Sequence, residues 1–207
     1  SPLGIEHNGG FRISIAGAQE KAAFLRKNGE WCRPIGTTPT THIFKPQIGK
    51  IEFSTGTVDL SKSVENEYYC LNLMRAFGLE TANVELGQFG DKKVLIVERF
   101  DRAHTSGGKI IRLPQEDMCQ ALGFPPTLKY QSKGGPKVVD ILSLLSQSDN
   151  PAKDQETVFK SQILFWLIGA TDGHAKNFSI FLRANSQLSL TPLYDILSAQ
   201  PIFDRAQ

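Results

Sequence analysis

Cysteine is scarce in this 207-residue chain: Cys32, Cys70 and Cys119 are the only three, an odd number at wide spacing. That excludes a disulfide frame or a cysteine zinc site and fits free thiols in a reducing cytosol. Cys70 sits among apolar residues and reads as core. Long apolar runs are also absent. The longest, Ile163 to Ala170, has eight residues, whereas a membrane helix needs about 20. The expectation is a soluble, cytoplasmic protein with no membrane partner. Charge of one sign is not in excess: Lys plus Arg is 23, Asp plus Glu is 21, a net +2. No global basic field announces nucleic acid. The four histidines form neither HxxxH nor HExxH, so no metal cage of that kind is expected. No basic-then-apolar leader opens the chain and no Met begins it; it reads as a piece of something longer.

What is present is an ordinary globular composition, 40% hydrophobic, long enough to bury a core unaided. The first third reads as strands. Phe11 to Ala16 alternates. Ala22 to Arg26 and Glu30 to Arg33 form a hairpin around Asn28-Gly29, a type I′ signal. Thr41 to Lys45 is a further strand, and 46–60 reads as a polar loop. Ser61 to Phe77 has helical periodicity through Val64, Tyr68, Leu71 and Met74, closed by Gly78. Val84 to Gln88 and Lys93 to Arg99 are strands. Beyond Pro114 helices dominate: Gln115 to Leu122, Val138 to Gln147, and Gln155 to Ala170, the last apolar on most of its surface and expected to be buried. Residues 123–137 form a long Pro- and Gly-rich loop. Phe178 to Leu182 and Gln187 to Thr191 make a second hairpin. The pattern predicts an α+β fold: a strand-rich N-terminal lobe over 1–101 and a partial helical C-terminal lobe over 102–207.

The chemistry concentrates in T-D-G-H-A-K-N at 171–177, a loop leaving the strongest helix. Asp172 and Asn177 have the Asp-x4-Asn spacing of a protein-kinase catalytic loop. An Asp there accepts or orients a hydroxyl proton, and an Asn five residues on returns a neutral oxygen toward a metal. The following hairpin delivers Asp195 beside Asn177. Asp and Asn oxygens completed by phosphate oxygens suit Mg²⁺. Taken alone the spacing also describes a capped turn; helix, loop, hairpin and then Asp in that order is what singles it out. Lys45 lies on the face of Ile43 by strand alternation, which could be the interior, where it would reach phosphates; position alone favours a solvated lysine at a strand end before a proline. Helix 61–77 offers it Glu65 and Glu67, on different faces, with Glu67 favoured. Ile15-Ala16-Gly17-Ala18-Gln19-Glu20-Lys21 is a small-residue loop whose backbone N–H groups could approach phosphate, although it lacks both G-x-G-x-x-G and a P-loop. Glu98-Arg99-Phe100-Asp101-Arg102 would hinge the lobes, its backbone facing an adenine edge and Asp101 a ribose hydroxyl, or else be a surface ion-pair cluster.

These residues resemble the HipA toxin kinases, bacterial Ser/Thr kinases of type II toxin–antitoxin modules. The likeness runs in order through ISIAGAQEK (13–21), TPTTHIFK (38–45), SVENEYYC (63–70), VERFDR (97–102), RLPQEDMCQ (112–120), WLIGATDGHAKNFS (166–179) and LTPLYDI (190–196). The resemblance implies a two-lobed kinase-like fold related to phosphoinositide kinases, with the family's C-terminal helical bundle cut short. It implies ATP and Mg²⁺ as cofactors, Asp172 as catalytic base, and Asn177 and Asp195 as metal ligands. Lys45 and residues 16–21 would hold the phosphates, and the backbones of Glu98 and Phe100 the adenine. Gln115, His174, Ala175, Lys176, Tyr194 and the rest of 98–101 would line the nucleotide. Ser14 matches the serine that the family autophosphorylates; about two added negative charges beside the phosphate loop would silence the enzyme. The implied partners are a HipB-like helix-turn-helix antitoxin, operator DNA only through that antitoxin, and glutamyl-tRNA synthetase as substrate, whose modification leads to growth arrest and persistence. The alternatives are an inactive antitoxin-binding co-repressor module and a small-molecule or lipid kinase on the same scaffold.

Overall fold

The computed structural model describes residues 19–53 and 56–202. The strand expected over Phe11 to Ala16 lies outside them, as do Ser14, Ala16, Gly17 and Ala18. The described chain opens with a hairpin, β1 (Ala22–Lys27) and β2 (Glu30–Cys32). Its turn residues Asn28 and Gly29 both have positive φ, 52° and 85°, as a type I′ turn requires. β3 (His42–Pro46) follows, then the hairpin β4 (Gly49–Phe53) and β5 (Gly56–Leu60). Helix α1 (Ser63–Ala76) leads to β6 (Val84–Phe89) and β7 (Lys92–Glu98). Five strands make one antiparallel sheet in the order β2-β1-β3-β7-β6.

Strand β7 lies between β3 and β6 and is buried on both faces, which is why Val94, Leu95, Ile96 and Val97 run without a polar break. Leu95 and Val97 pack with Val64 and Ala82 on the α1 side. Val94 and Ile96 pack with Phe44, Phe24 and Trp31 on the other. Lys45 stands opposite Leu95 in the β3–β7 register. Residues directly opposite point to the same face, so Lys45 is aimed under α1, not into solvent.

Short strands β8 (Arg102–His104) and β9 (Ile110–Arg112) pair with each other. β10 (Gln115–Asp117) then runs into helix α2 (Met118–Ala121). Helices α3 (Val138–Leu145) and α4 (Pro151–Ile168) follow, and α4 ends at Gly169 with φ 63°. β11 (Ser179–Leu182) and β12 (Leu188–Leu190) complete a three-stranded sheet, β10-β11-β12. The main core of this half joins Met118, Leu145, Val158, Phe165, Phe178 and Leu193 to Leu71 and Met74 of α1. Cys32, Cys70 and Cys119 are free thiols, Cys70 and Cys119 buried. Among the described residues no helix is long and apolar enough to cross a membrane.

Three expectations need correction. Residues 46–60 are not a loop but carry β4 and β5, paired Ile51 to Val58. Gln115 to Leu122 is not one helix. Its first three residues pair with β11, and the helix starts only at Met118 because Asp117 caps it: its Oδ1 accepts from Gln120 N at 3.0 Å while Gln120 Oε1 accepts from Asp117 N. Helix α4 is buried on one side only. Val158, Ser161, Leu164 and Phe165 face the core, while Phe159, Ile163, Trp166 and Leu167 are exposed.

Helix α4 also carries a buried acid. Asp154 Oδ2 accepts the N–H of Leu190 at 3.0 Å, tying β12 to the helix. Asp154→Ala leaves that donor without its partner. Equilibrium urea melts are expected to show a loss of about 1–3 kcal/mol; a melt matching the wild type would show that β12 is held otherwise.

Candidate active site

The sheet's end, α1 and the segment after β12 enclose a cavity of about 200 Å³. Its walls hold Lys21, Lys45, Glu67, Glu98, Arg99, Phe100, Asp101, Gln115, Tyr194 and Asp195, all singled out from sequence. Lys45 is 5% exposed and Glu67 1%. Lys45 Nζ lies 2.6 Å from Glu67 Oε1 and also bonds Asp195 Oδ1. Burial by itself would discharge Lys45, but Glu67 and Asp195 outweigh it and hold the ammonium above the ordinary lysine range. Burial likewise opposes the Asp195 carboxylate, and the charges of Lys45 and Lys21 overcome it, keeping Asp195 below its usual range. Lys21 Nζ stands 3.9 Å from Asp195 Oδ2. Glu65, the rejected alternative, pairs instead with Lys93 on the outer face.

Among the described residues Asp195 is one of four non-glycine residues with positive φ, at 56°. A non-glycine residue in the left-handed region costs energy and persists where neighbours fix it. Here the fixing groups are visible. Leu193 N donates to Glu80 O and accepts from Ala82 N through its carbonyl. The Tyr194 hydroxyl donates to Lys176 O at 2.9 Å and meets Ser179 Oγ at 2.5 Å.

The loop after α4 sits at the edge of this cavity. Asn177 Nδ2 donates to the backbone carbonyls of Asp172 (3.1 Å) and Asp195 (3.2 Å). One amide thus joins the two segments that sequence spacing could only align. Asp172 Oδ1 accepts from the Tyr130 hydroxyl at 2.5 Å. Burial raises Asp172 above the usual carboxylate range, against the Tyr130 hydrogen bond and the Lys129 charge. Lys176 Nζ reaches Asp117 Oδ2 at 2.5 Å, so the acid that caps α2 also anchors this loop.

Other expected nucleotide ligands lie elsewhere. Asp172, His174, Ala175, Lys176 and Asn177 are not among the cavity's walls. His174 and Ala175 line a second cavity with Tyr130 and Gln162. Glu20 lines a third with Gln47, and Gln19 Nε2 donates to Pro46 O at 3.1 Å. Asp101 is buried with both oxygens held by guanidinium groups, Arg99 at 2.9 and 2.7 Å and Arg102 at 2.6 Å. It is the centre of an ion-pair cluster just after β7 while still lining the cavity.

Sequence reasoning missed two residues. Gln47 Oε1 accepts from Ser63 Oγ and Val64 N, capping α1 from outside the helix and so placing Glu67. Tyr130 carries no local signal of its contact with Asp172.

His174 gives a pH prediction. Neither ring nitrogen has a hydrogen-bond partner among the described residues, and burial pushes its pKa down to about 4. Unfolded, it titrates near 6.5. Between these values the unfolded chain takes up a proton that the folded one refuses. This contribution to stability is whole above about pH 6.5 and falls by up to about 3 kcal/mol as pH drops to 4. His174→Gln is expected to flatten the pH dependence of urea melts in that window; an unchanged slope would place the acid sensitivity in other groups.

A strand lysine paired with a helix glutamate inside a cleft, with an Asp-x4-Asn loop tied to a second aspartate at its edge, is the arrangement of a kinase-like fold. Comparison with known proteins gives the family. Residues 13–207 match the HipA-like C-terminal domain, and the chain belongs to that family. It is 40% identical over 190 residues to a Sinorhizobium fredii protein named "Putative kinase Y4mE", covering 91% of this chain and 43% of that protein. It is 32% identical over 208 residues to the serine/threonine-protein kinase toxin HipA of Shewanella oneidensis, covering 95% and 45%. The structure of that HipA with HipB and operator DNA superposes at a TM-score of 0.76 with 30% identity, over 91% of this chain and 44% of the other. The Helicobacter pylori kinase CtkA shares the fold at a TM-score of 0.51 and 15% identity, over 83% and 52%. The chain spans less than half the length of the first two relatives.

Proposed function

We propose that the chain is the nucleotide-binding and catalytic core of a HipA-type serine/threonine protein kinase, a two-lobed unit divided near residue 101 that uses ATP and Mg²⁺. The observation that carries this is the buried Lys45–Glu67 pair meeting Asp195, itself joined to Asp172 through Asn177. In this reading Lys45 and Lys21 neutralise phosphate oxygens, and the family resemblance adds residues 16–20 as the phosphate loop. The Glu98 N–H is already given to Asn83 O at 2.9 Å, so Glu98 offers an adenine edge its carbonyl and Phe100 its N–H. Arg99 and Asp101 stiffen that hinge, and Gln115 and Tyr194 complete the pocket.

The residues fit a magnesium ion. Asn177 turns its N–H₂ to two carbonyls, which leaves its amide oxygen for a cation, and Asp195 adds a carboxylate. These are hard oxygen donors, and phosphate oxygens would complete the shell. Among the described residues no group of three His, Cys, Asp or Glu side chains forms a metal site alone, consistent with an ion that arrives with nucleotide. Bound there, it would supply charge neutralisation on the phosphates. Asp172 accepts the hydroxyl proton of an acceptor serine as that oxygen bonds the γ-phosphorus and the bond to ADP breaks.

The partner reading rests on the Shewanella structure, in which HipA is bound to HipB and operator DNA. We extend it to a HipB-like antitoxin here, with DNA reached through that partner, in the bacterial cytoplasm. The family resemblance supplies glutamyl-tRNA synthetase as the substrate and Ser14 as the self-phosphorylation site. The test is intact mass after incubation with ATP and Mg²⁺. A gain of one phosphate, mapped to Ser14 and absent in Asp172→Asn, is the expected result. No gain in folded protein that still binds ATP would overturn the claim that this chain is itself a catalyst.

A further inference from the structure

The loop between α2 and α3 is built around Tyr130. Its carbonyl accepts from both Lys133 N and Gly135 N at 3.0 Å. Gly134 is left-handed, with φ 84°. Gly135 admits no side chain, since a Cβ there would sit 1.8 Å from Leu128 O. Ala175 N, in the catalytic loop, donates to Lys129 O at 3.2 Å. The Tyr130 ring stands edge-on to His174, centroids 5.0 Å apart. Two loops are thus pinned together at three points: one backbone bond, one ring contact, and the Tyr130 hydroxyl on Asp172 Oδ1 at 2.5 Å.

A group held this closely by a folded-back loop is suited to fix geometry rather than to move. We infer that Tyr130 is a positioning residue for Asp172. It occupies one carboxylate oxygen, and by doing so fixes the rotation of the carboxyl group so that the other oxygen faces the acceptor hydroxyl. A carboxylate free to rotate presents that oxygen only part of the time, and small misplacements of a base carry large rate penalties. The alternative is a latch, in which the phenol fills the place of the acceptor. The glycine-dependent closure of the loop favours the first, because a latch must leave.

This role rests on the kinase reading of the site. The test is Tyr130→Phe, which keeps the ring contact with His174 and deletes only the hydroxyl. kcat is expected to fall at least about tenfold with KM for ATP within about twofold. A purely structural ring would move neither. In parallel, thermal melts of Tyr130→Phe, Asp172→Ala and the double variant are expected to be non-additive, a coupling that needs no activity, because each single change removes the hydrogen bond. Wild-type kcat in Tyr130→Phe would overturn the role. So would a raised kcat, which would make the phenol a latch, or an additive cycle. Failure of the kinase reading looks different: the wild-type chain itself transfers no phosphate, and the positioning role falls with it even if the melts show coupling.

Discussion

Lys45→Met is expected to destabilise the fold by about 3–5 kcal/mol and to remove nucleotide binding. The cost does not come from losing an attraction alone. Glu67 is 1% exposed, and without Lys45 its carboxylate keeps only the weaker attraction of Lys21. Breaking a buried pair by removing one partner is far more damaging than replacing both. Glu67 can escape only by taking a proton, toward which burial already pushes it. The pairing of Lys45→Met with Glu67→Gln is therefore expected to recover a large part of the lost stability but none of the nucleotide binding. Urea melts and ATP titrations of the two variants read the two effects separately. A Lys45→Met protein as stable as the wild type would mean that Glu67 is solvated on the α1 side after all. Recovery of both stability and ATP binding in the double variant would show that Lys45 serves only the fold.

That pair also shows what sequence can and cannot deliver. Strand alternation put Lys45 with Ile43 without saying whether that face was interior; the register Lys45 to Leu95 puts it under α1. Helix spacing separated Glu65 from Glu67 but did not say which faced inward. That choice depends on how α1 is rotated, which is set by Val64, Leu71 and Met74 entering the core and by Gln47 capping the helix start. The loop chemistry was legible for a similar reason. Asp172, Asn177 and Asp195 are ordered by chain distance and by one intervening hairpin, both visible in sequence. Their meeting through a single side-chain amide is tertiary.

The misses have physical causes. Lys50 to Leu60 alternates, with Ile51 and Phe53 answered by Val58 and Leu60, yet its polar residues outweighed that period when read as a loop. In Gln115 to Leu122 the decisive signal was present: Asp117 and Gln120 stand three apart as a capping box, which starts the helix at Met118 and frees Gln115 to pair as strand. Apolar residues over much of α4, Phe159, Ile163, Trp166 and Leu167 among them, say that those sides prefer cover, not that they have it; among the described residues only the Val158–Phe165 side meets the core. Tyr130 lies 42 positions from Asp172, in a loop whose path depends on Gly135. No local pattern encodes that contact.

Asp172→Asn is expected to move stability and activity in opposite directions. Burial holds the Asp172 carboxyl above its ordinary range. A carboxyl so shifted is one whose charged form costs the folded state more than the unfolded one, and the cost is largest where the charge has least solvent. Asn is nearly isosteric and still accepts from the Tyr130 hydroxyl through its amide oxygen, so the local hydrogen bond survives while the buried charge goes. Thermal melts at pH 7 are expected to show a Tm equal to or above that of the wild type. Phosphoryl transfer is expected to fall by about 10²–10⁴-fold, the usual worth of a positioned general base, with ATP affinity nearly unchanged because in the proposed reading Lys45 and Lys21 meet the phosphates and Asp195 holds the metal. A site that lowers the stability of its own fold to keep a charge in place is one selected for chemistry rather than for packing. A lowered Tm would show that Asp172 is a structural ion whose neighbours stabilise it. A variant that still transfers phosphate at the wild-type rate would move the base elsewhere.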